Sequence, residues 1–80
     1  MAWIKYDEDG IVNLDKITGI HVREAHMNNS HGWAIFIHDG GDNTYPTKVY
    51  TSWEECMKAF NGLIKRLEFG IQFIDMTNIQ

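Results

Sequence analysis

Residues 52–70, S-W-E-E-C-M-K-A-F-N-G-L-I-K-R-L-E-F-G, decide the fold, because they read as one amphipathic helix that needs a sheet to cover. Ser52 and Glu55 have the S-x-x-E spacing of a capping box, in which each side chain satisfies a backbone N–H at the helix start. Trp53, Cys56, Met57, Phe60, Leu63, Ile64 and Leu67 then recur at steps of three and four, forming a single apolar stripe. Gly70 supplies the left-handed residue that commonly ends such a helix.

The fifty residues before it supply the sheet. Trp3 to Tyr6 alternates and meets the turn cluster D-E-D-G, after which Ile11 to Leu14 reads as the return strand of a hairpin. Asp15-Lys16 turns the chain. Ile17 to His26 is a second extended run, and Gly19 breaks its alternation, so a bulge is expected there. M-N-N-S-H-G reads as a polar loop. Trp33 to His38 is the cleanest strand, with Trp33, Ile35 and Ile37 on one face, and D-G-G-D-N is a turn. Tyr45 to Thr51 forms the last strand, with Pro46 marking an edge or an entrance because proline donates no ladder hydrogen bond.

Short connections favour sequence neighbours as strand neighbours. The expected architecture is therefore α+β: a four-stranded antiparallel β-meander with one C-terminal α-helix packed on one face. Residues 1–70 make this single domain. The tail 71–80 is unusually apolar, with Ile71, Phe73 and Ile79. It either adds a fifth strand to its own sheet or contacts a second copy, and Gly70 argues against a longer helix.

Eighty residues give one domain with a modest core, for which self-association is a common remedy. Cys56 is the single cysteine, so no disulfide forms within the chain. Its place on the apolar stripe makes it a buried thiol, as suits a reducing compartment. The first ten residues are acidic where a secretory signal would be apolar, and no stretch is long enough to span a bilayer. A cytoplasmic protein of a bacterium, phage or mobile element is the simplest reading, with no membrane partner. Net charge is −4 and the seven Lys and Arg are scattered, so the concentrated basic surface that nucleic acids require is missing.

Four histidines are the first candidates for chemistry: His21, His26, His31 and His38. Their spacing matches no zinc motif. An antiparallel register with Val22 opposite Ile37 sets His21 opposite His38, Arg23 opposite Phe36 and His26 opposite Trp33. Facing imidazoles could hold a metal, with Asp39 or Glu24 as a further ligand, or act as a pH-sensitive pair. The plainer expectation is polar residues on a solvated face, with no metal and no cofactor.

Every acidic group has a structural reason. Asp7, Glu8 and Asp9 crowd one turn, Asp39 and Asp42 flank Gly40-Gly41, and Glu54 and Glu55 favour the helix dipole. D-G-G-D-N lacks the phosphate-loop and calcium-loop patterns. Ser30-His31 has no third member of a nucleophilic triad. Acid–base catalysis has no residue set behind it, so a non-enzymatic protein is expected.

The aromatic residues point to a surface. Trp33 and Trp53 are expected to pack between sheet and helix, whereas Phe36 and Tyr50 fall on the opposite parity from Ile35, Ile37 and Val49. Phe36 and Tyr50 with His21, Arg23 and His38 then form a patch on the uncovered face, and Phe73 offers an alternative surface. Aromatics and arginine are over-represented where interfaces carry binding energy.

W-I-K (Trp3 to Lys5), V-N-L-D-K-I (Val12 to Ile17), the W-A-I-F strand (Trp33 to Phe36) and the S-W-E-E-C helix start resemble small uncharacterised proteins of Gram-positive bacteria and their phages. The resemblance covers roughly residues 3–68 and implies two β-hairpins and a helix, but no activity. Hairpins followed by a helix also look like the MbtH-like helpers of peptide synthetases, whose S-L-W-P segment this chain lacks. The expected function is that of a small protein-binding or accessory module, host-directed if phage-encoded, acting on an unknown protein partner or as a homodimer. The alternative is a metal- or small-ligand-binding protein using the histidine pair.

Overall fold

A computed structural model of the chain describes residues 2–27 and 30–78. It is an α+β structure of six strands in two three-stranded sheets, with one helix. Strands β1 (Trp3–Asp7) and β2 (Gly10–Asn13) form the first hairpin, and a short 3-10 turn at Leu14–Lys16 follows. Then come β3 (Ile17–Met27), β4 (Ser30–Asp39), β5 (Thr44–Pro46), helix α1 (Trp53–Glu68) and β6 (Phe73–Asp75). The middle of the expected M-N-N-S-H-G loop and the tail residue Ile79 lie outside the described residues. No helix among the described residues is long and apolar enough to cross a membrane.

A single meander is not what forms. One sheet has the order β2-β1-β6 and the other β3-β4-β5. Two features separate them. Asn13 accepts the Asp15 N–H through its side chain, closing the turn that ends β2 before β3 begins. The second edge of β1 is then taken by β6, which runs parallel to it with Ile4 beside Ile74. Backbone bonds from the Trp3 N–H to the Gln72 carbonyl and from the Met76 N–H to the Lys5 carbonyl, both 2.9 Å, fasten this tail strand. The apolar tail is therefore an element of its own fold.

Helix α1 begins as its sequence directs. The Glu55 N–H donates to Ser52 Oγ at 3.1 Å. The reciprocal half of the capping box is replaced, because the Glu55 carboxylate accepts from the Thr51 hydroxyl at 3.0 Å. At the far end Gly70, with φ of 70°, donates to the Leu67 carbonyl while Ile71 donates to that of Arg66. These are the paired bonds of a Schellman ending, which turns the chain back toward β1.

Cys56, Ala59 and Leu63 are wholly buried, with Phe60 and Leu67 packed beside them. They meet Ile35 and Ile37 of β4, Ile4, Val12 and Ile74 of the other sheet, and Met76 just past β6, in one core. Each large apolar side chain buried here contributes about 1.5–3 kcal/mol relative to exposure. Trp53 does not go under: it is 45% exposed, standing edge-on to Trp33 with ring centroids 4.9 Å apart.

Candidate functional site

Alternation along β4 turns Ile35 and Ile37 into the core and therefore sends Phe36 and His38 to the opposite face. On β3 the same face carries His21 and Arg23. The register is two residues away from the expected one: His21 pairs with Phe36, Arg23 with Ala34, and Gly19 with His38, while Val22 faces Ile35. The bulge between Ile17 and Gly19 falls where the glycine indicated. A shift of two preserves parity, so His21, Arg23, Phe36 and His38 still share one face.

They form a ladder of flat groups. Phe36 stacks on His21 with ring planes 15° apart and centroids at 5.8 Å, and His21 stacks on His38 at 4.4 Å. His38 Nε2 lies 2.9 Å from His21 Nδ1, and its Nδ1 lies 3.1 Å from the Thr44 hydroxyl. Phe36, His21 and His38 are all half-buried, and Arg23 is exposed. Partial burial, the Arg23 guanidinium and the second imidazole hold the His21 pKa below its ordinary value, in that order of size. The lowered pKa favours the neutral His21 ring, which lies within hydrogen-bond distance of His38.

Tyr50 is a correction. It belongs to the core, 6% exposed, and not to the outer face. The strand after β5 explains why. Pro46 pairs with Phe36, but Tyr50 bridges to Trp33, so the chain gains one residue between these contacts. One extra residue exchanges the two faces for everything beyond it. Thr47 fills the irregularity: its N–H donates to the Ile35 carbonyl at 2.9 Å, and its hydroxyl accepts the Ile35 N–H at 3.1 Å. Tyr50 goes inward, where burial pushes the pKa of its hydroxyl up to about 12 and no hydrogen-bond partner among the described residues meets it. Val49 goes outward and lies over Gly32, where an added Cβ would stand 2.9 Å from Val49 Cγ1 and 2.1 Å from the Tyr50 carbonyl oxygen.

Phe73, the remaining candidate, lies on the other sheet beside Trp3 and is 53% exposed. Phe69 and Ile11, at 81% and 55% exposure, are exposed apolar residues that the sequence reading did not single out. Phe69 caps the helix just beyond the end of its stripe, and Ile11 alternates with buried Val12; strict alternation was the available signal for the latter.

The other two histidines also come together. His26 pairs across the hairpin with His31, ring centroids 4.4 Å apart, and His31 Nε2 lies 2.6 Å from the Glu24 carboxylate. This exposed pair sits on the face opposite the ladder. Among the described residues no group of three or more His, Cys, Asp or Glu side chains is arranged to hold a metal.

The acidic candidates serve local structure. Asp39 accepts from the Tyr45 hydroxyl, the Gly41 N–H and the Asn43 amide, bonds that lower its pKa. Asp75 is lowered by bonds from the Thr77 hydroxyl and N–H. Burial raises the Cys56 thiol to about 11, which keeps it protonated and inert. An open cleft of about 510 Å³ between Asp15–Thr18 and Asp39–Asn43 is lined by these turn residues.

No family model matches the chain, and comparison with curated proteins and with solved structures gives no match to either.

Proposed function

We propose that this chain is a small non-enzymatic protein-binding module whose contact surface is the outer face of β3 and β4. The stacked ladder of Phe36, His21 and His38 beside exposed Arg23 is the observation that carries the reading. Flat side chains already stacked on one another lose little conformational freedom on docking, so less of the contact energy is spent on ordering them. Arginine at the rim adds hydrogen-bonding reach. The acids are engaged in turns and at the helix start, which supports binding over catalysis. An accessory or host-directed role belongs to the same proposal.

A photo-crosslinking amino acid substituted at Phe36 tests this in the native host. Crosslinks to one protein species from position 36, and none from exposed Lys58 on the helix, are expected. Equal labelling from both positions would remove the outer face as the contact surface.

A second reading, metal binding, rests on the 2.9 Å approach of His38 Nε2 to His21 Nδ1. Two imidazoles leave at least two positions of a tetrahedral ion to other ligands. Histidine NMR during zinc titration tests it: selective broadening or shifts of His21 and His38 support it, and uniform weak effects on all four histidines oppose it.

A further inference from the structure

The long strand β3 pairs with β4 along one edge and, among the described residues, with no strand along the other. On β4, Trp33 exchanges backbone bonds with Tyr50 and the Ile35 carbonyl accepts from Thr47, so the odd-numbered residues of β4 bond toward β5. Its even-numbered residues therefore bond to β3, with Phe36 paired to His21 and Ala34 to Arg23. It follows that Ile20, Val22, Glu24 and His26 of β3 aim their N–H and C=O groups away from β4. No described strand lies on that side. Such a row is a template for another extended chain.

We propose that this edge pairs antiparallel with β3 of a second copy, about a two-fold axis through His21. The core side of the edge carries Ile20 and Val22, half-buried and packed against the core. A strand that completes them must bring apolar residues at alternate positions, and β3 is itself such a strand.

The axis position follows from complementarity. Centred on His21, Ile20 of each copy faces Val22 of the other, and Arg23 faces Gly19. Gly19 is open ground, since nothing lies within 4 Å of a Cβ built there, so a guanidinium fits. Centring on Ile20 sets Val22 against Thr18, and centring on Val22 sets Ile20 against the Glu24 carboxylate. Centring on Arg23 or Glu24 opposes like charges, which destabilises cross-strand pairs. His21 alone keeps both apolar residues on apolar partners.

This pairing also changes what the histidines can do. His21 bonds toward β4, so across the new interface it forms the non-hydrogen-bonded type of pair, in which side chains stand closest. Each His21 brings its hydrogen-bonded His38, so four imidazoles converge at the axis. Among the described residues one chain has no three-ligand group, and the second copy supplies the further donors for a tetrahedral divalent ion such as zinc. The pairing stands whether or not the outer face also binds another protein.

Light scattering coupled to size exclusion, with zinc chloride or with EDTA, is the first test. The wild type is expected to show a dimer mass at high micromolar concentration, with zinc shifting the midpoint to lower concentration. Position-specific cysteines then fix the register. His21→Cys is expected to form an intermolecular disulfide under mild oxidation, since the two positions fall within disulfide range. Arg23→Cys is expected to stay unlinked, because its two copies lie four residues apart along the strands, roughly 13 Å. A monomer under all conditions, zinc included, overturns the proposal. So does a dimer that His21→Cys fails to link, which would shift attention to Phe69 and Phe73.

Discussion

His38 Nε2 stands 2.9 Å from His21 Nδ1, close enough for a neutral ring's N–H to donate to the other ring's bare nitrogen. The two residues are diagonal neighbours, since Gly19 and not His21 is the direct partner of His38. Diagonal positions in a twisted pair are within reach of ring side chains. Protonating both rings would set two cations against each other beside Arg23.

The consequence for pH has a definite sign. His21 is held below its ordinary 6.5 by partial burial, then Arg23, then His38. The unfolded chain therefore takes up this proton at a higher pH than the native chain does. Stability from neutral His21 is complete above the unfolded value and is lost as pH falls through the lower folded one. A histidine-resolved NMR titration should place the His21 midpoint below that of the urea-unfolded chain; a higher midpoint contradicts the partly buried, stacked setting of His21.

Tyr50→Phe should stabilise the protein. The hydroxyl is buried without a hydrogen-bond partner, a situation that costs about 1–3 kcal/mol. Urea unfolding should show a gain of about 1 kcal/mol, and a loss would mean that the hydroxyl is satisfied in solution. Tyr50→Ala, by contrast, empties a core position and should cost about 3–5 kcal/mol, the range for large aromatic truncation.

Leu63→Ala removes a wholly buried side chain from the helix stripe. Equilibrium unfolding should show a loss of about 2–5 kcal/mol. A loss under 1 kcal/mol would show that the helix does not seal the core at this point.

Gly32→Ala should be poorly tolerated, because the added methyl would meet the Tyr50 carbonyl at 2.1 Å. The Trp33–Tyr50 bridge must open to admit it. Reduced amide protection of Trp33 and Tyr50 in hydrogen exchange is the expected signature. Unchanged protection would place the two strands farther apart.

The helix was legible in the sequence almost to the residue, because capping, periodicity and the terminal glycine all pointed the same way. Parity along β3 and β4 was legible too, since Ile35 and Ile37 force it, and it brought His21, Arg23, Phe36 and His38 to one face despite the register slip. Two features were not legible. The Thr47 irregularity uses a side chain in place of a ladder group, and nothing in T-K-V-Y announces it, so parity alone puts Tyr50 on the wrong face. The split into two sheets depends on β6 pairing with β1 across most of the chain, and local pattern carries no information about so distant a partner.

On the proposed function, the partner docks on the ladder face and not on the exposed Phe69 and Phe73. Affinity capture with two baits, quantified by mass spectrometry, tests it most directly. The Phe36→Ala/Arg23→Ala bait should lose the captured partner at unchanged thermal stability, while a Phe69→Ala/Phe73→Ala bait retains it. The reverse pattern, with the partner lost only from the Phe69→Ala/Phe73→Ala bait, would place the contact surface away from the ladder.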